Sequence, residues 1–199
     1  VKDDTVALWG SSYGLTATSI QDIYNDREGT TWLATDHGLY RRRNAAIQSF
    51  SKKDGLGHSE VYPIYRTRSG DVWIGTSKGM SIYRDGVFKP YDIKPAIPDG
   101  PRNLTWESSR VSVQSLWEDN QGKMWVGING GIFIVENGIA RNLIVDCHVF
   151  SIKGDRSGNV WAATNKGIYQ FNDYKLTRLY NVKDGLPNEF MTLVFEDSK

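Results

Sequence analysis

The chain has 199 residues, of which 39% are hydrophobic and 12% aromatic, and a formal charge of +1. This is the composition of a folded globular protein, and the absence of a clustered basic face excludes a general nucleic-acid footprint. The single cysteine, Cys147, excludes an internal disulfide or a multi-cysteine metal site, and no apolar run reaches the ~18 residues of a membrane-crossing helix.

In chain order, Val6–Leu15 reads as the outer strand of an incomplete unit, with Trp9 as a packing residue. A first full unit then begins with Ile20 and Ile23, followed by Asp26, Gly29, Trp32, Gly38 and Leu39. The same register returns as Val61, Ile64, Thr67, Gly70, Trp73, Gly79 and Met80. It returns again as Val113, Leu116, Asp119, Gly122, Trp125, Gly131 and Ile132, and as Val149, Ile152, Asp155, Gly158, Trp161, Gly167 and Ile168. Met191, Val194 and Asp197 open a fifth copy. The tryptophans of the four full units are 41, 52 and 36 residues apart. A second cue precedes three of the first strands: YGL at Tyr13, DGLGHSE at Asp54 and DGLPNEF at Asp184.

Each unit reads as four short strands, predicted in the second unit over 61–66, 71–76, 80–84 and 87–93. The connections TRSG, SKG and RDG carry turn chemistry, since glycine takes positive φ cheaply and aspartate bonds its own backbone. Four-stranded antiparallel units repeating at about 40 residues predict an all-β fold, a β-propeller. The predicted form is a partial propeller, an open arc of about four blades with flanking strands. It occupies 1–199 as one domain, with units at 1–19 (partial), 20–60, 61–110, 111–148, 149–190 and 191–199 (partial). The repeated Trp32, Trp73, Trp125, Trp161, Gly29, Gly70, Gly122 and Gly158 are expected to be scaffold, with each indole wedged between blades. The Asp-x-x-Gly turn is expected to be capped by its aspartate, a bound cation being the other reading. Arg41–Arg43 is expected at a solvated strand edge, or else in contact with an anion.

The segments DREGTTWLATDHGLY, DNQGKMWVGINGGI, DRSGNVWAATNKGIY and NVKDGLPNEF resemble the two-component regulator propeller repeat. Thr67 departs from that pattern, and the third unit lacks the Asp-Gly-Leu signal. The resemblance implies a periplasmic sensor region of a membrane-anchored signalling protein, such as a hybrid histidine kinase or a diguanylate cyclase. The implied partners are further blades, a signalling output domain and a small-molecule or oligosaccharide ligand. No cofactor or metal is implied. The open ends of the arc are expected to support self-association.

In such a fold the inter-blade connections and the turns after the Trp strands share one face, where propeller ligands are expected by fold analogy. The candidates there are Asp36, His37, His58, Glu60, Lys78, Asn129, His148, Lys166 and Asn188. The long interval between the second and third units holds Lys94–Arg110, a loop stiffened by prolines. It adds Arg102, Trp106 and Arg110, with Trp106 either stacking on a sugar ring or capping the core beneath its loop. No P-loop, nucleophile elbow or zinc spacing is present, so no catalytic residue is assigned. A binding module is expected rather than an enzyme. A protein-interaction scaffold is the alternative, and a propeller lyase or glycosidase the remoter one.

Overall fold

A computed structural model of the chain describes residues 10–44, 46–91, 94–95 and 111–197. The first blade is β1 (Ile20–Asn25), β2 (Thr31–Thr35), β3 (Gly38–Arg43) and β4 (Ala46–Phe50), paired antiparallel in chain order. The second is β5 (Val61–Arg66), β6 (Val72–Thr76), β7 (Gly79–Arg84) and β8 (Val87–Tyr91), within a few residues of the predicted bounds. The remaining strands are β9 (Lys94–Pro95), β10 (Val113–Glu118), β11 (Met124–Glu136), β12 (Ile139–Gly154), β13 (Val160–Thr164), β14 (Gly167–Asn172) and β15 (Lys175–Tyr180).

The third and fourth blades are joined into one sheet, because β12 runs through where other blades have a connector. In the other three blades a threonine ends the Trp strand. The Thr35, Thr76 and Thr164 hydroxyls donate to the carbonyls of Gly38, Gly79 and Gly167 at 2.7–3.0 Å, and accept the N–H of His37, Lys78 and Lys166. The third blade has Ile128 at that position, and β11 continues unbroken to Glu136. Likewise Ser51 and Asn181 cap 3-10 turns at Lys52–Asp54 and Val182–Asp184, each closed by a left-handed glycine. The third blade lacks that sequence, so β12 serves as its outer strand, over 139–148, and then as the inner strand of the fourth, over 149–154.

The inner strands β1, β5, β10 and the second part of β12 lie side by side, and the core consists of the junctions between blades. Trp32, Leu39 and Phe50 of the first blade bury against Val61, Ile64, Ile74 and Phe88 of the second. Trp73, Met80 and Ile82 pack against Val113, Leu116, Val126 and Phe133, and Trp125, Ile132 and Ile134 against Val149, Ile152, Ala162 and Phe171. Each burial of an indole contributes about 4–6 kcal/mol gross, at ~25 cal/mol per Å² over the 150–250 Å² of an aromatic side chain. At the first blade's outer side Ile20 and Ile23 are 48% and 57% exposed, so the arc is open there. The chain is therefore an all-β partial propeller.

The structure corrects three expectations. Arg41–Arg43 is not on a strand edge: β3 pairs with β2 and β4, and Arg41 turns inward over the rings of Trp32 and Phe50. Within Val6–Leu15, Ser11–Tyr13 forms a 3-10 turn with Gly14 as its left-handed cap, so this part is a blade connector; residues 1–9, with Trp9, lie outside the described residues. Met191–Asp197 runs beside the fourth blade without joining a ladder, held by Met191 N–H to the Thr164 carbonyl at 2.9 Å and by Arg156 N–H to the Glu196 carboxylate.

Candidate functional site

The segment after the Trp strand is tied to the start of the inner strand in all four blades, through a turn in three of them and within β11 in the third. The N–H groups of Asp36, Ser77, Asn129 and Asn165 donate to the carbonyls of Ser19, Glu60, Ser112 and His148 at 3.1–3.3 Å. Because the blades stack in one orientation, these four segments form one rim, with the inter-blade connectors beside them. Asp36, His37, His58, Glu60, Lys78, Asn129, His148, Lys166 and Asn188 all belong to this rim, and His37, Glu60, Lys78, Asn129, His148, Lys166 and Asn188 are exposed. Arg102, Trp106 and Arg110 lie outside the described residues; of their loop, β9 pairs in parallel with Ile139–Ala140.

Local bonding gives the rim groups distinct chemistry. His58 Nδ1 accepts the N–H of Glu60 at 3.2 Å and lies 2.6 Å from Ser77 Oγ. Burial first, and then Lys52 and Lys78, lower its pKa, so the ring is held neutral with Nε2–H as its donor. Asp36 is held far below the usual carboxylate range by His37 at 3.0 Å, by the Thr18 hydroxyl and by the Ser19 N–H. It is a permanent anion on the rim. Asn165 Oδ1 accepts the His148 N–H at 2.8 Å, and Asn188 Oδ1 the Phe190 N–H at 2.8 Å, which leaves both side-chain amides able to donate outward. The histidines come from separate connections, and no group of three metal-binding side chains occurs among the described residues.

The opposite edge carries the Asp-x-x-Gly turns. In three of them the aspartate does two jobs that sequence spacing alone did not separate. Oδ1 accepts backbone N–H groups of its own turn, and Oδ2 accepts the indole N–H: Trp32 to Asp26 at 3.3 Å, Trp125 to Asp119 at 3.0 Å and Trp161 to Asp155 at 2.7 Å. Burial opposes ionisation of Asp26 and Asp155, but these hydrogen bonds outweigh it and hold both below their ordinary 3.8. With Thr67 in the second blade the same backbone pair closes the turn, and Asp71 instead pairs with Arg84. Gly29, Gly70, Gly122 and Gly158 sit in these turns at positive φ. Two clefts open on this edge, one between the first and second blades and one between the third and fourth.

Residues 14–37 and 55–78 match the two-component regulator propeller family. No curated protein matches the chain. Among solved structures, the extracellular domain of the hybrid two component system BT4673 from B. thetaiotaomicron superposes with a TM-score of 0.77 at 22% identity, covering 91% of this chain and 25% of that one. That of BT3049 from the same organism gives 0.69 at 22%, covering 89% and 24%. Virginiamycin B lyase from Staphylococcus aureus gives 0.61 at 14%, covering 80% and 55%. The chain thus spans about a quarter of the length of these two extracellular domains. Two successive blades of the four thus carry matches to the two-component regulator propeller family.

Proposed function

We propose that this chain is a ligand-sensing segment of an extracytoplasmic propeller in a membrane-anchored signalling protein, and that its ligand is a small polar molecule such as an oligosaccharide. The observation that carries this reading is the rim: four successive segments and the connectors beside them present a neutral imidazole, a fixed carboxylate, amides and two lysines along one edge of a rigid scaffold. Neutral donors and acceptors of this kind suit sugar hydroxyls, and placing them on turns leaves the blade core untouched. The family matches in two blades and the extracellular domains of similar fold support the setting. Binding across blades alters signalling only by favouring one arrangement of the parent's domains over another.

A glycan array probed with the chain tests this, followed by titration of any hit against His58→Ala, Asn129→Ala and Lys166→Ala. Binding of a sugar that these variants weaken several-fold, with unchanged thermal unfolding, supports the reading. Binding indifferent to all three, or turnover of the sugar, overturns it.

A further inference from the structure

The two clefts on the edge opposite the rim are built on one plan and differ at a hairpin residue and in their charged lining. In both, the next blade places a ring against the indole: Tyr83 meets Trp32 at 5.4 Å and Phe171 meets Trp125 at 5.3 Å, each at an interplanar angle of 64°. In both, an outer hairpin reaches toward the preceding blade, Asp85–Gly86 from the second and Asp173–Tyr174 from the fourth, with all four residues at positive φ. Tyr174 fills its cleft: its ring stacks on Trp125 at 5.8 Å and 19°, and its hydroxyl donates to Asp119 at 2.7 Å. Gly86 has no side chain, and a Cβ placed there would meet nothing within 4 Å. The cleft beside Gly86 measures about 470 Å³, against about 220 Å³ beside Tyr174.

The open cleft is lined by four arginines and four carboxylates, and one of the arginines stands apart from the carboxylates. Arg66 pairs with Asp26 and Glu28, and Arg84 with Asp71. Arg41 instead donates to the Tyr83 hydroxyl and to Gln48 Oε1, both at 2.7 Å, and has no carboxylate partner among the described residues. Its guanidinium is half-buried over Trp32 and Phe50, where the third blade has Ile134. A guanidinium has five N–H donors in a rigid fork, and two hydrogen bonds leave donors for an anion. Arg43, two residues on along the same strand, also lines the cleft.

We infer that the cleft between the first and second blades is a second binding site, for a small organic anion carrying a carboxylate or a sulfate. Arg41 holds the anion in its fork, and Arg43 adds charge at the mouth. The site lies on the edge away from the rim and does not depend on what the rim binds.

Isothermal titration of the chain with glucuronate, a sulfated hexose, inorganic sulfate and glucose tests the assignment. The expected result is saturable binding of the two organic anions, weakened by added salt and absent for glucose. Arg41→Gln and Arg43→Gln each weaken it, the first by about tenfold, as loss of a charge-assisted hydrogen bond gives. Gly86→Tyr copies the closed cleft and abolishes binding while thermal unfolding stays cooperative; Arg43→Gln, at an exposed position, carries the test should that variant not fold. No saturable binding at millimolar anion, or binding unchanged in Gly86→Tyr or in both arginine variants, overturns the site. Inorganic sulfate binding as tightly as the organic anions overturns its assignment to an organic ligand.

Discussion

Trp32 and Trp125 hold the same place in two junctions, and the surroundings of each differ. Each indole N–H reaches an aspartate of its own blade, and each ring is met edge-on by an aromatic ring of the next. The inner strands are linked alike as well: Asp22 accepts the Ile64 N–H at 2.9 Å, and Ser115 accepts the Ile152 N–H at 2.8 Å. Beyond this shared frame the junctions diverge. One is sealed by a tyrosine in a left-handed conformation, which costs about 1–2 kcal/mol against glycine. The ring stack, worth about 0.5–1.5 kcal/mol, and a hydrogen bond to a carboxylate, worth about 1.5–3 kcal/mol, offset that cost. The other junction keeps glycine at the hairpin and is lined with arginine. The junction between the second and third blades takes another course. Pro63 stands where Asp22 and Ser115 do, and the clamp is made at the turns, where Glu118 accepts the Arg68 N–H at 2.8 Å and the Arg68 side chain donates to the Asn120 carbonyl at 3.2 Å. A repeat thus fixes the stacking while single positions around each indole decide whether a junction is closed or open.

The largest effect expected is from Trp125→Ala, a loss of about 3–5 kcal/mol in urea unfolding. Trp161→Ala should cost clearly less, because that indole, facing outward from the fourth blade, is only half-buried against Tyr180. Equal losses would break the view that the indoles act as junction wedges. Next is Tyr174→Phe, which keeps the stack and removes the bond to Asp119, and is expected to cost about 1.5–3 kcal/mol; a neutral result by the same measurement would place the seal in the ring alone. Smaller is a pH dependence at the Asp-x-x-Gly turns. The folded pKa values of Asp26 and Asp155 are lowered, so their contribution is complete above the ordinary 3.8 and is lost as pH falls through the lower folded values. Thermal unfolding of Asp26→Asn and Asp155→Asn should therefore depend less on pH below about 4 than that of the parent chain. The smallest effect concerns Cys147 in the sealed junction, where burial raises the thiol pKa to about 11. A thiol reagent at neutral pH should label it far more slowly in the folded chain than in urea.

The blade frame was legible in the sequence because it rests on recurrent local chemistry. The turns, the strand alternation and the Trp spacing each repeat at fixed offsets. The fusion of the third and fourth blades had a visible signal in the missing Asp-Gly-Leu sequence before Val149, but its consequence depends on a capped 3-10 turn that spacing does not reveal. The place of Arg41 is not legible from its charge, which suggests solvent, because its ring neighbours Trp32 and Tyr83 come from two blades. The clefts could not be read at all by considering one unit at a time. The signal that could have found them was Tyr174 standing in the register position of Gly86.

The most direct measurement is a double-mutant cycle between Trp125→Ala and Tyr174→Ala, which pairs the indole of one blade with the hairpin of the next. A coupling of about 0.5–1.5 kcal/mol between them is expected if the junction is held as described. Strictly additive losses would mean that the two rings do not act on each other, and would contradict the account of how the blades are joined.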